Sequence, residues 1–354
     1  MDASALIPVH VLTGALGSGK TTLLNKTLQA GLVPDTAVIV NEFGAVSLDQ
    51  LFVQARSEDT VVLQGGCVCC TIRTDLVSTL MQLLALRPIS RPFRRILIET
   101  SGISDPLPIL QTLRSEPSLT AHFRIGSLIR SVGAIDGVPG GDRTETVRQI
   151  TAADAIVITK RDLTDDDSAV VVERAVTALN PLAQMLPRSG AEVRQWLEQW
   201  EQRNGDAGGL LHRLDLPAGT TYDAHRVHST VIRGTAPASW PRLAVWLSRL
   251  IFVHGDRILR TKGVLFDAGR GTWIAVHGVR RFLHPPVHLD LAQPPPCGAC
   301  LVFITEDLDP TSIERSYERL VAQEESARPA PERSFPTRPS SFGDDGSGFP
   351  AYIP

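Results

Sequence analysis

The chain has 354 residues, 43% of them apolar and 21% charged, with a net charge of −3. That length supports two domains with a substantial core, and the composition is that of an ordinary soluble globular protein. The near-neutral balance excludes a global pull toward nucleic acid or anionic membrane, and no apolar run approaches the ~20 residues of a membrane span.

The opening MDASALIPVHVLTG lacks a basic start and a small-residue cleavage site, so no signal peptide is expected and the reading is cytoplasmic. VHVLTG reads as a buried strand, and KTTLLNKTLQAG after it has helical spacing. Between them, Gly14 to Thr21 (GALGSGKT) match G-x-x-x-x-G-K-[ST] completely, in the strand-to-helix context the motif needs. Glycines let the backbone wrap phosphates so that successive N–H groups point inward. The helix starting near Lys20 adds its positive end. Lys20 is placed to reach the β- and γ-phosphates, and the Thr21 hydroxyl to ligate Mg²⁺.

AVIVNEFG is the next strand. Its Glu42 is a candidate for positioning the attacking water or reaching a metal. TVVLQGG follows as a third apolar run, and then GGCVCCT places Cys67, Cys69 and Cys70 within four positions. The whole chain has only five cysteines. Cytosolic thiols stay reduced, so such a cluster points to metal or catalysis rather than disulfides. Thiolates suit a soft divalent ion, zinc first, with Co²⁺ or copper(I) as alternatives. A closed structural zinc site has four ligands; three leave a position open for water, a carboxylate or a partner's ligand.

RTDLVSTLMQLLAL is helical. RILIETSG then ends a strand on Glu99, which can hold Mg²⁺ directly or through water, with Gly102 able to bring a backbone N–H to the γ-phosphate. IGSLIRSVGAID, helical TVRQITAAD, AIVITKRD and helical DDDSAVVVERAVTAL complete the alternation. Apolar strands alternating with helices predict a doubly wound, mostly parallel α/β sheet. AIVITKRD sets Thr159, Lys160 and Asp162 at a strand end. There the Asp162 carboxylate can accept from guanine N1–H and N2–H, and the Lys160 stem can cover the base. Adenine offers no matching donor pair, which favours GTP over ATP.

Residues 203–224 turn Gly-rich and polar, marking a domain boundary. Strand-like VHSTVIRG, helical ASWPRLAVWLSRLIFVHG, strand-like ILRTKGVLF, TWIAVHGV and CLVFI, and helical DPTSIERSYERLVAQEE predict a small α+β domain. The expected organisation is residues 1–215, residues 225–326, and a Pro-, Ser- and Gly-rich disordered tail over 327–354. His225-x-x-His228 and His284-x₃-His288 read as surface or strand pairs. For Cys297-x-x-Cys300, accessory metal contact and plain packing both stay open.

GALGSGKTT, VNEFGAVSLD, GGCVCCTIR, IETSGISDP and ITKRDL occur in the order and spacing of the CobW-like P-loop GTPases, and the chain resembles that family from about residue 8 to 325. The resemblance implies a P-loop NTPase fold and a GTP-hydrolysing metallochaperone. In it Gly14, Gly17, Ser18, Gly19, Lys20, Thr21 and Thr22 hold GTP, and Thr21 and Glu99 hold Mg²⁺. Cys67, Cys69 and Cys70 would bind the cargo metal, Zn²⁺ or Co²⁺, with Glu42 coupled to nucleotide state, for delivery to a client metalloprotein. Two departures stand out: Thr159 replaces the family's common Asn, and a His-rich stretch is missing. The competing readings are a maturation GTPase with the thiols as sensor, and a P-loop kinase with structural zinc. Neither nucleic acid nor membrane is an expected partner, and a homo-oligomer is left open.

Overall fold

The computed structural model describes residues 6–32, 35–40, 72–86, 93–102, 105–136, 144–202, 220–222, 227–234, 239–267, 269–289, 295 and 298–327. The TVVLQGG strand, the 327–354 tail apart from Ala327, and most of the 203–224 boundary lie outside them.

The first sheet is built from β1 (Ile7–Gly14), β2 (Thr36–Val40), β3 (Arg95–Glu99), β4 (Phe123–Gly133), β5 (Ala155–Thr159) and β6 (Gln184–Leu186). Its order is β2-β3-β1-β4-β5-β6, and every pairing is parallel. Every residue of β1, β2, β3 and β5 is buried, as expected of strands covered on both faces, and this is why they read as largely apolar runs. The covering helices are α1 (Lys20–Thr27), α2 (Ile72–Leu86), α3 (Leu107–Ser115), α4 (Pro117–Thr120), α5 (Thr144–Ala152), α6 (Asp166–Leu179) and α7 (Gly190–Gln202).

Side-chain alternation divides the core. Leu12, Val38 and Leu97 face α1 and α7 through Leu23, Leu24, Trp196 and Trp200. Val9, Val11, Ile96 and Ile98 face α2 and α3 through Leu80, Leu83, Leu110 and Leu113. Strand periodicity of two makes this division automatic. Helix α6 starts on Asp165, whose carboxylate accepts from the Ser168 N–H at 2.7 Å, an N-cap that the DDDS run supplies.

Helices α3, α4 and α7 and strand β6 of this domain are not among the sequence expectations. Helix α3 starts behind Pro106, with Pro108 inside its first turn where a missing N–H costs nothing. Helix α7 carries Val193, Trp196, Leu197 and Trp200 at i, i+3, i+4 and i+7, all buried.

The second sheet is antiparallel, in the order β11-β10-β9-β13-β8-β7, with β12 also paired to β10. Its strands are β7 (Thr220–Tyr222), β8 (Val227–Gly234), β9 (Ile258–Asp267), β10 (Thr272–Val279), β11 (Phe282–Leu283), β12 (Val287–Leu289) and β13 (Ala299–Glu306). Helices α8 (Trp240–His254) and α9 (Pro310–Ala327) cover its outer face, where Trp246 meets Phe303 and Tyr317 edge-on. Along β13, Leu301 and Phe303 point to those helices. Cys300, Val302 and Ile304 point the other way, into one core with α5, α6 and β5 of the first domain. The inner face of the second sheet is thus buried against the first domain.

A charged cluster crosses that interface. Arg260 on β9 donates to the Asp154 carboxylate and the Ala152 carbonyl. The fully buried Lys262 ammonium sits 3.2 Å from Asp154 Oδ1, and the Leu128 N–H donates to Oδ2 at 2.9 Å. Burial alone would push the Asp154 carboxyl up; Arg260, Lys262 and Leu128 outweigh it and hold the group well below the usual carboxylate range.

A second buried network ties α7 to the sheet. The Ser127 N–H donates to His10 Nδ1 at 3.0 Å, so the proton of neutral His10 sits on Nε2 and is donated to Glu201 Oε1 at 2.9 Å. Arg95 donates to both Glu201 oxygens at 2.6 and 2.8 Å. Burial lowers the His10 pKa below 6.5, with Glu201 opposing. Burial raises Glu201, but His10 and Arg95 bring it down to about 2. Both folded values lie below the unfolded ones, so this stability is complete above pH 6.5 and is lost as pH falls through the range down to 2. Urea midpoints are expected to drop steadily between about pH 7 and about pH 3, and Glu201→Gln to flatten the lower part of that fall. A wild-type midpoint constant over the range would contradict this.

Candidate functional site

Strands β1, β3, β4 and β5 deliver their carboxyl ends to one edge of the first sheet, where an open α/β fold places its ligand crevice. The loop from Gly14 to Gly19 turns there between β1 and α1. Gly17 (φ 77°) and Gly19 (φ 83°) lie in the left-handed region, Gly19 as the residue that opens α1, so the turn requires glycine at both.

Lys20 is buried, and its Nζ donates to the Gly14 and Ala15 carbonyls at 3.1 and 3.0 Å. The ammonium therefore spans the loop it belongs to. Thr21, one position on, donates its hydroxyl to Glu99 Oε1 at 2.6 Å. The register Leu12↔Glu99 between adjacent β1 and β3 sets the carboxylate at that height. Thr22 stands exposed on the first turn of α1. Gly102 packs so closely on the loop that a Cβ there would lie 2.3 Å from the Leu16 nitrogen. Any side chain at Gly102 would push the segment after β3 off the loop.

Thr159 ends β5, buried, and donates its hydroxyl to the Ser18 carbonyl at 2.6 Å. The residue that departs from the family's common Asn thus clasps the loop backbone itself. Thr159→Val keeps the shape and leaves that carbonyl unmatched. It is expected to cost about 1–2 kcal/mol in urea unfolding and to weaken nucleotide binding in parallel. Unchanged stability would show the clasp to be idle. Lys160 has a left-handed backbone (φ 57°), and its ammonium lies near Gly17. Asp162 is exposed and ion-paired with Arg188. Backbone hydrogen bonding and then Arg188 hold its carboxyl below the ordinary value.

Two contributors were not picked out by sequence reasoning. Ser131 on β4 shares a hydroxyl–hydroxyl hydrogen bond of 2.7 Å with Ser18. Arg188, in the segment after β6, reaches Asp162 from the neighbouring strand end. Each is a single polar residue in or just after a strand, and only the strand order gives it meaning.

Glu42, Cys67, Cys69 and Cys70 lie outside the described residues, as do His225 and Cys297. Cys300 is buried in the inter-sheet core. His288 is exposed on β12, 3.3 Å from the Thr272 hydroxyl, and His284 is half-buried just after β11. Among the described residues no helix is long and apolar enough to cross a membrane, and no group of three metal-ligating side chains forms.

The arrangement offers a glycine-turned loop with one ammonium, a hydroxyl and carboxylate in contact beside it, and a lysine and an aspartate after β5. Residues 8–187 match the CobW/HypB/UreG nucleotide-binding domain, and residues 227–321 match the cobalamin synthesis protein CobW C-terminal domain. The chain is 29% identical over 291 residues to the zinc chaperone YjiA of Escherichia coli, covering 78% of this chain and 86% of that protein. It is 29% identical over 349 residues to zinc-regulated GTPase metalloprotein activator 1 of Schizosaccharomyces pombe, covering 87% and 81%. The crystal structure of zinc-bound YjiA GTPase from E. coli shares the fold, with a TM-score of 0.60, 23% identity, and coverage of 89% of this chain and 99% of that one.

Proposed function

The chain belongs to the CobW/HypB/UreG family of nucleotide-binding proteins, and from that premise we propose that it is a GTP-hydrolysing metallochaperone that carries zinc to a client metalloprotein in the cytoplasm. The observation that carries the nucleotide half is the Thr21–Glu99 contact of 2.6 Å beside a complete phosphate-binding loop. Two hard oxygen donors in contact there suit Mg²⁺, which Thr21 and Glu99 would hold. When bound, the ion neutralises charge on the β- and γ-phosphates.

The protein's own residues do the rest. The N–H groups of Gly14 to Thr22 cradle the phosphates. Lys20 leaves the Gly14 and Ala15 carbonyls and takes the β- and γ-oxygens. Asp162 exchanges Arg188 for guanine N1–H and N2–H, and the Lys160 stem covers the base. Gly102, against the loop, supplies a backbone N–H near the γ-phosphate. Glu42 orients the attacking water.

The cargo half rests on Cys67, Cys69 and Cys70. Helix α2 starts at Ile72, two residues after the last of them, and the positive end of a helix favours thiolates over thiols. Zn²⁺ suits three thiolates, with Co²⁺ the competing cargo. GTP orders this segment into a tight site and hydrolysis relaxes it, releasing metal to the client.

The test is the triple variant Cys67→Ser, Cys69→Ser, Cys70→Ser. Zinc content is expected to fall from about one ion per chain to none, while metal-free GTP turnover persists. Full zinc retention would place the cargo site elsewhere. Loss of turnover with zinc retained would overturn the division of labour.

A further inference from the structure

A cavity of about 520 Å³ lies between the two domains, on the far side of the first sheet from the phosphate-binding loop's strand ends. Leu110, Leu113, Phe123, Leu128, Val279 and Val287 give it largely apolar walls. The first four come from the first domain and the last two from the second sheet.

Arg114, Arg124, His277 and His284 also line it, together with Thr120 and Trp200. None of their side-chain nitrogens has a hydrogen-bonding partner among the described residues, and Arg124 Nε is buried in that condition. The two imidazoles lie 6.4 Å apart, centre to centre. Burial lowers both below the ordinary imidazole value, His284 to about 4, so at neutral pH each is uncharged and keeps one N–H to donate. The other charged groups in the wall, Arg260 and Asp154, are engaged with each other.

The occupant follows from this inventory. Two neutral imidazoles could ligate a metal, but unpaired guanidiniums in the same wall repel a cation. Apolar walls that converge on a few polar groups are the pattern of a small-molecule site. Guanidinium binds carboxylate with two parallel hydrogen bonds, and the imidazole N–H groups add donors. We propose that this interdomain cavity binds a monoanionic amphipath, a carboxylate on a medium-length apolar body, with the head on the guanidinium and imidazole side chains of the wall and the body along Leu110, Leu113 and Phe123.

Decanoate is the probe, titrated calorimetrically into the full chain, with decylammonium and decanol as charge controls. Saturable binding of decanoate is expected, with decanol weaker and decylammonium absent. Arg124→Gln is expected to weaken decanoate by about tenfold or more, and His284→Gln by about threefold. GTP turnover should be unchanged in both, because neither residue touches the phosphate-binding loop. That readout separates failure of this inference from failure of the GTPase reading. If Arg124→Gln does not fold, His284→Gln alone decides. No saturable decanoate binding, equal binding of decylammonium, or wild-type affinity in the folded variants would overturn the proposal.

Discussion

Lys20→Ala is expected to lower GTP turnover by about a thousandfold or more while leaving the fold intact. The ammonium is the one cation that the phosphate-binding loop itself contributes, and it is buried between the Gly14 and Ala15 carbonyls. Its removal deletes charge stabilisation where negative charge develops on the phosphates. The two carbonyls it leaves border the open crevice, where water replaces it. Phosphate release under saturating GTP measures the effect, with far-ultraviolet circular dichroism as the fold control. Lys20→Arg keeps the charge but not the reach, and its turnover should stay near that of Lys20→Ala. Turnover within tenfold of wild type in Lys20→Ala would show that the loop does not serve hydrolysis.

Asp154→Ala is expected to destabilise the protein by about 3–5 kcal/mol. The carboxylate is the shared counterion of Arg260 and the fully buried Lys262, and it also accepts from the Leu128 N–H. Without it, Arg260 and Lys262 on β9 lose the carboxylate that they share. Breaking a buried pair costs far more than the pair is worth, because the orphaned charge stays in low dielectric. The damage should be greatest at the interface, since the cluster joins the two sheets. Urea unfolding followed by tryptophan fluorescence suits it, because the Trp200 ring lies 5.7 Å from the Lys262 ammonium. A loss below about 1 kcal/mol would mean that water already reaches the cluster.

What the sequence made legible follows the range of the interactions. The phosphate-binding loop is local: eight consecutive residues carry the turn, the cation and the hydroxyl, and they can be read without any fold. Strands β1, β2, β3 and β5 are equally plain, because burial on both faces leaves them mostly apolar, with His10 the one charged-type residue inside a run. Helix α7 was also readable from Val193, Trp196, Leu197 and Trp200, but its polar face and the Gly-rich text after it obscured the stripe. Ser131 and Arg188 were not readable. Ser131 matters only because β4 is the neighbour of β1, and Arg188 only because β6 lies beside β5. The Asp154–Arg260 link joins residues 106 apart in sequence, and no local pattern announces it. His284 reads from sequence as half of a surface or strand pair with His288, and only the fold shows that it lines the interdomain cavity.

Zinc affinity measured in two nucleotide states tests the central claim most directly. The full chain, loaded with Mg²⁺ and either a non-hydrolysable GTP analogue or GDP, is titrated with Zn²⁺ against a competing chelator. Binding at least about tenfold tighter in the GTP-analogue state is expected, with an equal tightening of the analogue by zinc, because linkage is reciprocal. Equal zinc affinity in the two states would contradict a nucleotide-controlled carrier.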